Sequence, residues 1–314
     1  IFIENSSASY WLNANTYRMS YFIIDGQIEV DNLTIVSSFG YDLNGNMQVE
    51  SSFANLYSVD TKNPSVTCVV SNQAVLSDAT VGAFHIDVTF DDLMETTMTP
   101  SVSLSGNGDL TNSILENGSS WLDDQTLRLD YILQDANVEI DGLQLQVTNA
   151  TDHSGNTLSG TSVANNVCII DTRNPEIVLV SSNTYDLNPS NAGAEAFQIN
   201  IVYDEPMSAN SQPAIDFPNE TPTITLNAAA SGWMSSTVYR AVYDLNVPTL
   251  NNPQIDIHIS ADALDAAGNS SASSTIADYF SESAAIGLDE VSEDRKSTRL
   301  NSSHSSVSRM PSSA

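Results

Sequence analysis

The stretch Phe84–Met94, FHIDVTFDDLM, decides the fold. Phe84, Ile86, Val88 and Phe90 alternate with His85, Asp87 and Thr89. Period-two alternation puts the two sets on opposite faces of a strand, so the segment reads as a half-buried β-strand running into an acidic loop. The pattern returns further along the chain at Phe197–Met207, FQINIVYDEPM. A strand that recurs with its loop and its methionine belongs to a repeated domain.

Further landmarks keep the same register. Trp11, Trp121 and Trp233 are nearly evenly spaced. Each is followed at one constant interval by Arg (Arg18, Arg128, Arg240) and at another by Tyr (Tyr21, Tyr131, Tyr243). An apolar alternation then starts at a fixed distance from each Trp, at Leu33, Leu143 and Ile255. A D-x-x-G-N turn follows at Asp42–Asn46, Asp152–Asn156 and Asp265–Asn269. The linkers VDTKNP and IDTRNP place Asp60 and Asp171 one repeat apart. The apolar parity shifts across Asp141-Gly142, which predicts a bulge or bend.

Valine, isoleucine, threonine and tyrosine are frequent and helical runs nearly absent, which favours an all-β chain. About 110 residues per repeat, with seven or so short strands, predicts tandem immunoglobulin-like β-sandwiches. A propeller blade would be shorter, and a β-helix would repeat more finely. The copies are residues 1–58 (the C-terminal part of a repeat, lacking its early strands), 59–169 and 170–285. The opening IFIENSSASYW starts inside a β pattern and reads as a fragment whose start is missing, compatible with a lost secretion signal. Residues 286–314 are expected to be a disordered tail. From about residue 293, EDRKSTRLNSSHSSVSRMPSSA is Ser-rich and basic, and resembles translated adaptor sequence rather than native protein.

Charge narrows the partners. The chain has 314 residues, 9 Lys+Arg against 39 Asp+Glu, and a net charge of -30. Four of the nine cations lie in Arg295–Ala314, which leaves five (9 − 4) against 39 acids in residues 1–294. Such a surface repels nucleic acid and anionic membrane and attracts multivalent cations. No apolar run reaches the ~20 residues that span a bilayer, so no membrane insertion is expected of this segment. The histidines, His85, His153, His258 and His304, do not recur between copies and sit in no nucleophile or zinc motif, which argues against an enzyme. Cys68 and Cys168 leave two readings open, a disulfide closing a long loop or two buried thiols.

The repeated acids are the candidate site. In an immunoglobulin-like sandwich the B–C and F–G loops share the end at which the chain arrives. Asp91 and Asp92 follow the second strand of copy two, Asp152 opens its D-x-x-G-N turn, and Asp60 lies in its incoming linker. These acids should converge, as should Asp171, Asp204, Glu205 and Asp265 in copy three. Asp135, in the E–F loop of the preceding copy, is expected to approach the next linker and bridge two domains; Asp25 is its counterpart in copy one. Hard carboxylate oxygens in irregular geometry suit a structural Ca²⁺. The competing reading is local: Asp152 and Asp265 tie tight turns, Asp91 and Asp204 are solvated loop charges, and Asp60 and Asp171 bond their own linker.

At YDEPM and its variant FDDLM, the Trp-to-Tyr segment, DAAGN and its variants, and the D-T-x-x-P linkers, residues 1 to about 280 resemble the tandem immunoglobulin-like repeats of very large bacterial surface adhesins. The resemblance implies an extracellular, cell-surface rod, with calcium near domain junctions. Its partners would be the neighbouring repeats and an unknown surface receptor or glycan. The function expected is a non-enzymatic stalk or adhesin shaft. The alternative is an accessory or glycan-binding module of a secreted hydrolase. FDDLM lacks the usual proline, and copy three ends in YFSESAAIG instead of another linker.

Overall fold

The computed structural model describes residues 1–284. The expectations for the tail, 286–314, lie outside the described residues. Within 1–284 there is no α-helix, and the chain forms strands joined by turns and two short 3-10 turns. It divides into two compact units, one comprising Ile1–Arg173 and the other beginning at Asn174.

The half-repeat at the start contains β1 (Phe2–Glu4), β2 (Tyr10–Asn13), β3 (Thr16–Arg18), β4 (Tyr21–Ile23), β5 (Glu29–Ser37) and β6 (Ser51–Asp60). They pair antiparallel as β1–β4, β2–β3 and β5–β6. Without the early strands of a repeat its apolar side chains have little to cover them. Trp11 is 60% exposed, and Phe22, Phe53 and Tyr57 are exposed too.

Copy two contains β7 (Val66–Ser71), β8 (Val75–Leu76), β9 (Gly82–Phe90), β10 (Ser101–Ser105), β11 (Ile114–Trp121), β12 (Thr126–Leu133), β13 (Glu139–Ile140), β14 (Gln144–Thr148), β15 (Ser162–Ala164) and β16 (Ile169–Asp171). One layer has the order β11-β12-β9-β7. The other is made of β10-β14-β15 and of β13-β16-β8, in which β8 and β16 run parallel. The alternating residues point where the sequence predicts. Phe84, Ile86, Val88 and Phe90 of β9 and Leu127, Leu129, Tyr131 and Leu133 of β12 are buried. They pack on Leu143, Leu145, Val147, Ile140 and Ile170 from the other layer. Phe84 stacks on Tyr131 with ring centroids 5.5 Å apart. The bend predicted at Asp141-Gly142 is a change of sheet: β13 and β14 belong to different ladders, and Gly142 takes the positive φ (+71°) that lets the chain turn between them.

Copy three contains β17 (Ile177–Ser182), β18 (Asp186–Leu187), β19 (Gly193–Tyr203), β20 (Ile215–Asp216), β21 (Ile224–Leu226), β22 (Gly232–Trp233), β23 (Val238–Leu245), β24 (Asn252–Ile259) and β25 (Ser274–Glu282). Its layers are β17-β19-β23-β21, with β22 also on β23, and β18-β25-β24-β20. Phe197, Ile199, Ile201, Tyr239, Tyr243, Ile255, Ile257 and Phe280 form its core.

In copies two and three the repeated Trp and Arg make structural contacts. The Trp121 and Trp233 indole N–H groups donate to the carbonyls of Met98 (3.1 Å) and Ser211 (2.8 Å), closing one sandwich edge. Arg128 grips Asp87 of the neighbouring strand with two hydrogen bonds of 2.8 Å, which hold the Asp87 carboxyl below its usual pKa. Arg240 donates to Asn200 at the matching place. Met94 and Met207 are buried beneath the acidic loops.

Cys68 and Cys168 are not bonded to each other. Cys68 is exposed on β7, whereas Cys168 is buried and leads into β16 of the other layer. Burial pushes the Cys168 thiol up to about 11. A thiol-disulfide reagent at neutral pH should therefore titrate one thiol in the native chain and two after denaturation. Two native thiols would contradict the burial of Cys168. Hydrogen exchange provides a second check: amides of β1 to β6 should exchange faster than those of β9 and β12, because few buried contacts hold them. Equal protection would mean that the half-repeat is stabilised by something other than its own core.

Candidate metal centre

The end of β9 delivers two adjacent carboxylates, and the backbone there separates their roles. The Asp91 N–H donates to the Ser65 carbonyl (3.0 Å), and the Ser65 N–H donates back to Asp91 Oδ1 (2.6 Å). Asp91 Oδ2 lies 2.9 Å from Lys62 Nζ. Partial burial works to raise the Asp91 pKa, but the bonds from Ser65 and Lys62 outweigh it and hold the carboxyl below its usual value. Asp91 thus clamps the incoming linker to the strand end.

Asp92 turns the other way and is 8% exposed. Its Oδ1 accepts only the N–H of Leu93 (2.7 Å), while its Oδ2 is buried without a hydrogen-bond partner. One oxygen from each of Asp60, Asp92 and Asp152 lies within 4.8 Å of the other two. Burial raises the Asp92 pKa first, and the charges of Asp60 and Asp152 add to that.

Asp152 is 2% exposed and ties its own turn. Its Oδ1 accepts Asn156 N–H (2.8 Å), and its Oδ2 accepts the Asn156 side-chain amide (2.9 Å). The same amide reaches the Asp60 carbonyl at 3.4 Å, which joins the turn to the linker. Asp152 therefore ties its own turn while also lying beside Asp60 and Asp92. Asp42 ties the equivalent turn of the half-repeat through Asn44 and Asn46 but is exposed.

The second unit repeats this division. The Asp204 N–H donates to the Glu176 carbonyl, and Asp204 Oδ1 accepts the Glu176 N–H at 2.8 Å. Glu205 and Asp265 are both buried and offer oxygens within 4.8 Å of each other. Asp265 Oδ1 accepts the N–H groups of Ala267, Gly268 and Asn269. Asp171 ends β16 of the first unit, at the place Asp60 holds at the end of β6.

Asp135 lies outside these groups; its Oδ1 accepts Asn137 N–H at 3.1 Å within its own loop. The preceding copy instead presents a glutamate that the sequence reading did not single out. Glu29 of β5 lies directly across from Asp60, and Glu139 of β13 directly across from Asp171. The charge of Asp92, followed by burial and by Asp31 and Asp60, raises the Glu29 pKa. The recurrence of Glu29 and Glu139 at the repeat interval was the signal available in the sequence.

Three carboxylates within 4.8 Å repel one another. At an effective dielectric near 20, that distance corresponds to roughly 3 kcal/mol for each fully charged pair. Hydrogen bonds relieve Asp152, but Asp92 keeps an oxygen with no donor. Hard oxygen donors in such a group fit a divalent cation of the calcium type. Because folding raises the Asp92 pKa, its charge costs stability at neutral pH. That cost fades as pH falls through the raised pKa and past the ordinary value of about 4. Without divalent ions, Asp92→Asn should raise the melting temperature at pH 7 by a few °C, as about 1 kcal/mol does in a unit of this size. The gain should shrink toward pH 4. A loss of stability at pH 7 would show that Asp92 is held by favourable contacts instead.

No protein-family model matches the chain, and no curated protein matches it. Solved structures of the bacterial S-layer protein SbsC are similar to it. The N-terminal part of that protein is 11% identical, with 68% of this chain covered and a TM-score of 0.23. Its domains 4–9 are 8% identical, with 88% covered and a TM-score of 0.25. Its domains 5–6 are 9% identical, with 71% of this chain and all of that one covered and a TM-score of 0.22. The chain spans 44% and 46% of the first two.

Proposed function

We propose that this chain is a non-enzymatic segment of a bacterial cell-surface or secreted protein, a rod of immunoglobulin-like repeats stiffened by Ca²⁺ at their junctions. The observation that carries the reading is the Asp60–Asp92–Asp152 group, with a buried Asp92 oxygen that no donor satisfies. The residues come from the linker, the loop after β9 and the turn after β14, so a cation held by them ties the linker to the sandwich. Glu205 and Asp265 repeat two of its members in the second unit, and Asp171 holds the place of Asp60 in the repeat. The D-T-x-x-P linkers limit bending on their own, since proline restricts itself and the residue before it. The resemblance of the recurrent motifs to those of adhesin shafts supports an extracellular setting, where modules bind calcium at roughly 10⁻⁴–10⁻³ M.

Cation binding to the folded state stabilises it by mass action. Replacing EDTA by millimolar Ca²⁺ should raise the melting temperature of the wild type and leave that of Asp92→Asn nearly unchanged. An unchanged wild-type melting temperature would end the calcium reading. Small-angle scattering tests the mechanical part separately: the profile should become more extended and rigid with Ca²⁺, and a freely jointed profile in both conditions would count against stiffening.

The accessory or glycan-binding reading has one observation in its favour. A groove of about 740 Å³ is lined by Trp11, Asn13, Asn15, Tyr41, Asp42 and Asn44. Aromatic faces beside amide and carboxylate groups suit a sugar. However, Trp121 and Trp233, at the same repeat position, pack against their cores, so the exposure of Trp11 follows from the strands its copy lacks.

A further inference from the structure

Residues 1–294 hold five Lys and Arg against 39 Asp and Glu, and all five occupy repeated positions. Arg18, Arg128 and Arg240 follow the tryptophans at one interval, and Lys62 and Arg173 each follow a linker aspartate at another. In a chain so short of positive charge, a cation placed twice in the linker has a local task. For Lys62 the geometry defines it. Its ammonium lies 2.9 Å from Asp91 Oδ2, on the residue next to Asp92. A lysine ammonium is charged at neutral pH, and this one is held in place by its ion pair with Asp91. Lys62 therefore stands at the rim of the Asp60–Asp92–Asp152 group as a positive charge that cannot diffuse away. At the second linker Arg173 lies 4.0 Å from Glu139, the acid directly across from Asp171.

We propose that Lys62 is a tethered counter-cation of this carboxylate group, which steadies the metal-free junction and sets the concentration at which a divalent cation takes over. This inference rests on the reading that the group binds such a cation. An ammonium beside the carboxylates cancels part of their repulsion while no metal is bound. The same ammonium repels an arriving dication and weakens its binding. A junction built in this way tolerates low calcium without unfolding and responds only above a threshold.

Calcium calorimetry on the full chain at low ionic strength tests this with wild type, Lys62→Gln and Lys62→Arg. Lys62→Gln should tighten the Kd roughly three- to tenfold, the scale for removing one unit charge several ångströms from a dication in a largely solvated site. The gain should shrink at high salt, where surface charges are screened. Lys62→Arg, which keeps the charge, should bind like the wild type. In EDTA, Lys62→Gln should melt below the wild type. If the wild type binds calcium and Lys62→Gln binds it no tighter, the tethered role is overturned and the cation site stands. If neither binds calcium, the cation reading falls and this inference falls with it.

Discussion

Both complete sandwiches are organised by the antiparallel pairing of two central strands, β9 on β12 and β19 on β23. Phe84 faces Tyr131 across the first pair and Phe197 faces Tyr243 across the second, with every second residue on each strand driven inward. The pairing fixes which face is buried, because a slip of one residue would turn the whole apolar set outward. It also fixes where β9 and β19 end. Since Phe90 and Tyr203 must be inside, the acids that follow them emerge at one end of the sandwich. The position of the carboxylate group is thus a consequence of core packing.

At that end, neighbouring acids perform opposite tasks. Asp91 and Asp204 bond the backbone of Ser65 and Glu176, just ahead of the first strand of their own copy, whereas Asp92 and Glu205 are buried. The turn aspartates take up backbone N–H groups and hold the turn. What the fold leaves unresolved is electrostatic, a buried Asp92 oxygen without a donor beside two like charges. Burial of an unpaired charged oxygen is among the costlier local features a domain can carry.

Much of this was legible in the sequence, for identifiable reasons. Period-two alternation located β9, β12 and β19, the recurrence of Trp, Arg and Tyr established the repeat, and loop order in a sandwich brought the acids to one end. The parity shift at Asp141-Gly142 marked the passage from one ladder to another. The division between Asp91 and Asp92 was not legible, because two identical adjacent side chains are distinguished only by the backbone direction at the strand end. Glu29 and Glu139 were missed in favour of Asp25 and Asp135 because loop position pointed to the aspartates. Cross-strand register between a repeat and the following linker is invisible to periodicity. The cysteines were ambiguous because distance along the chain does not reveal that Cys68 and Cys168 belong to different layers.

The scarcity of positive charge gives these details their meaning. With 39 acids and nine cations, the mean field over the surface is repulsive, and any single cation placed near carboxylates changes the local balance more than it would in an ordinary protein. Arg128 uses this inside a sheet, where its two bonds to Asp87 join adjacent strands. Lys62 uses it at a junction, where Asp91 anchors it beside a group whose Asp92 oxygen has no donor. The β sandwich supplies rigid positions and the alternation supplies stability. The charge pattern, rather than the fold, distinguishes the junction at Asp60 from an ordinary turn, because acids from three separate segments of the first unit meet there.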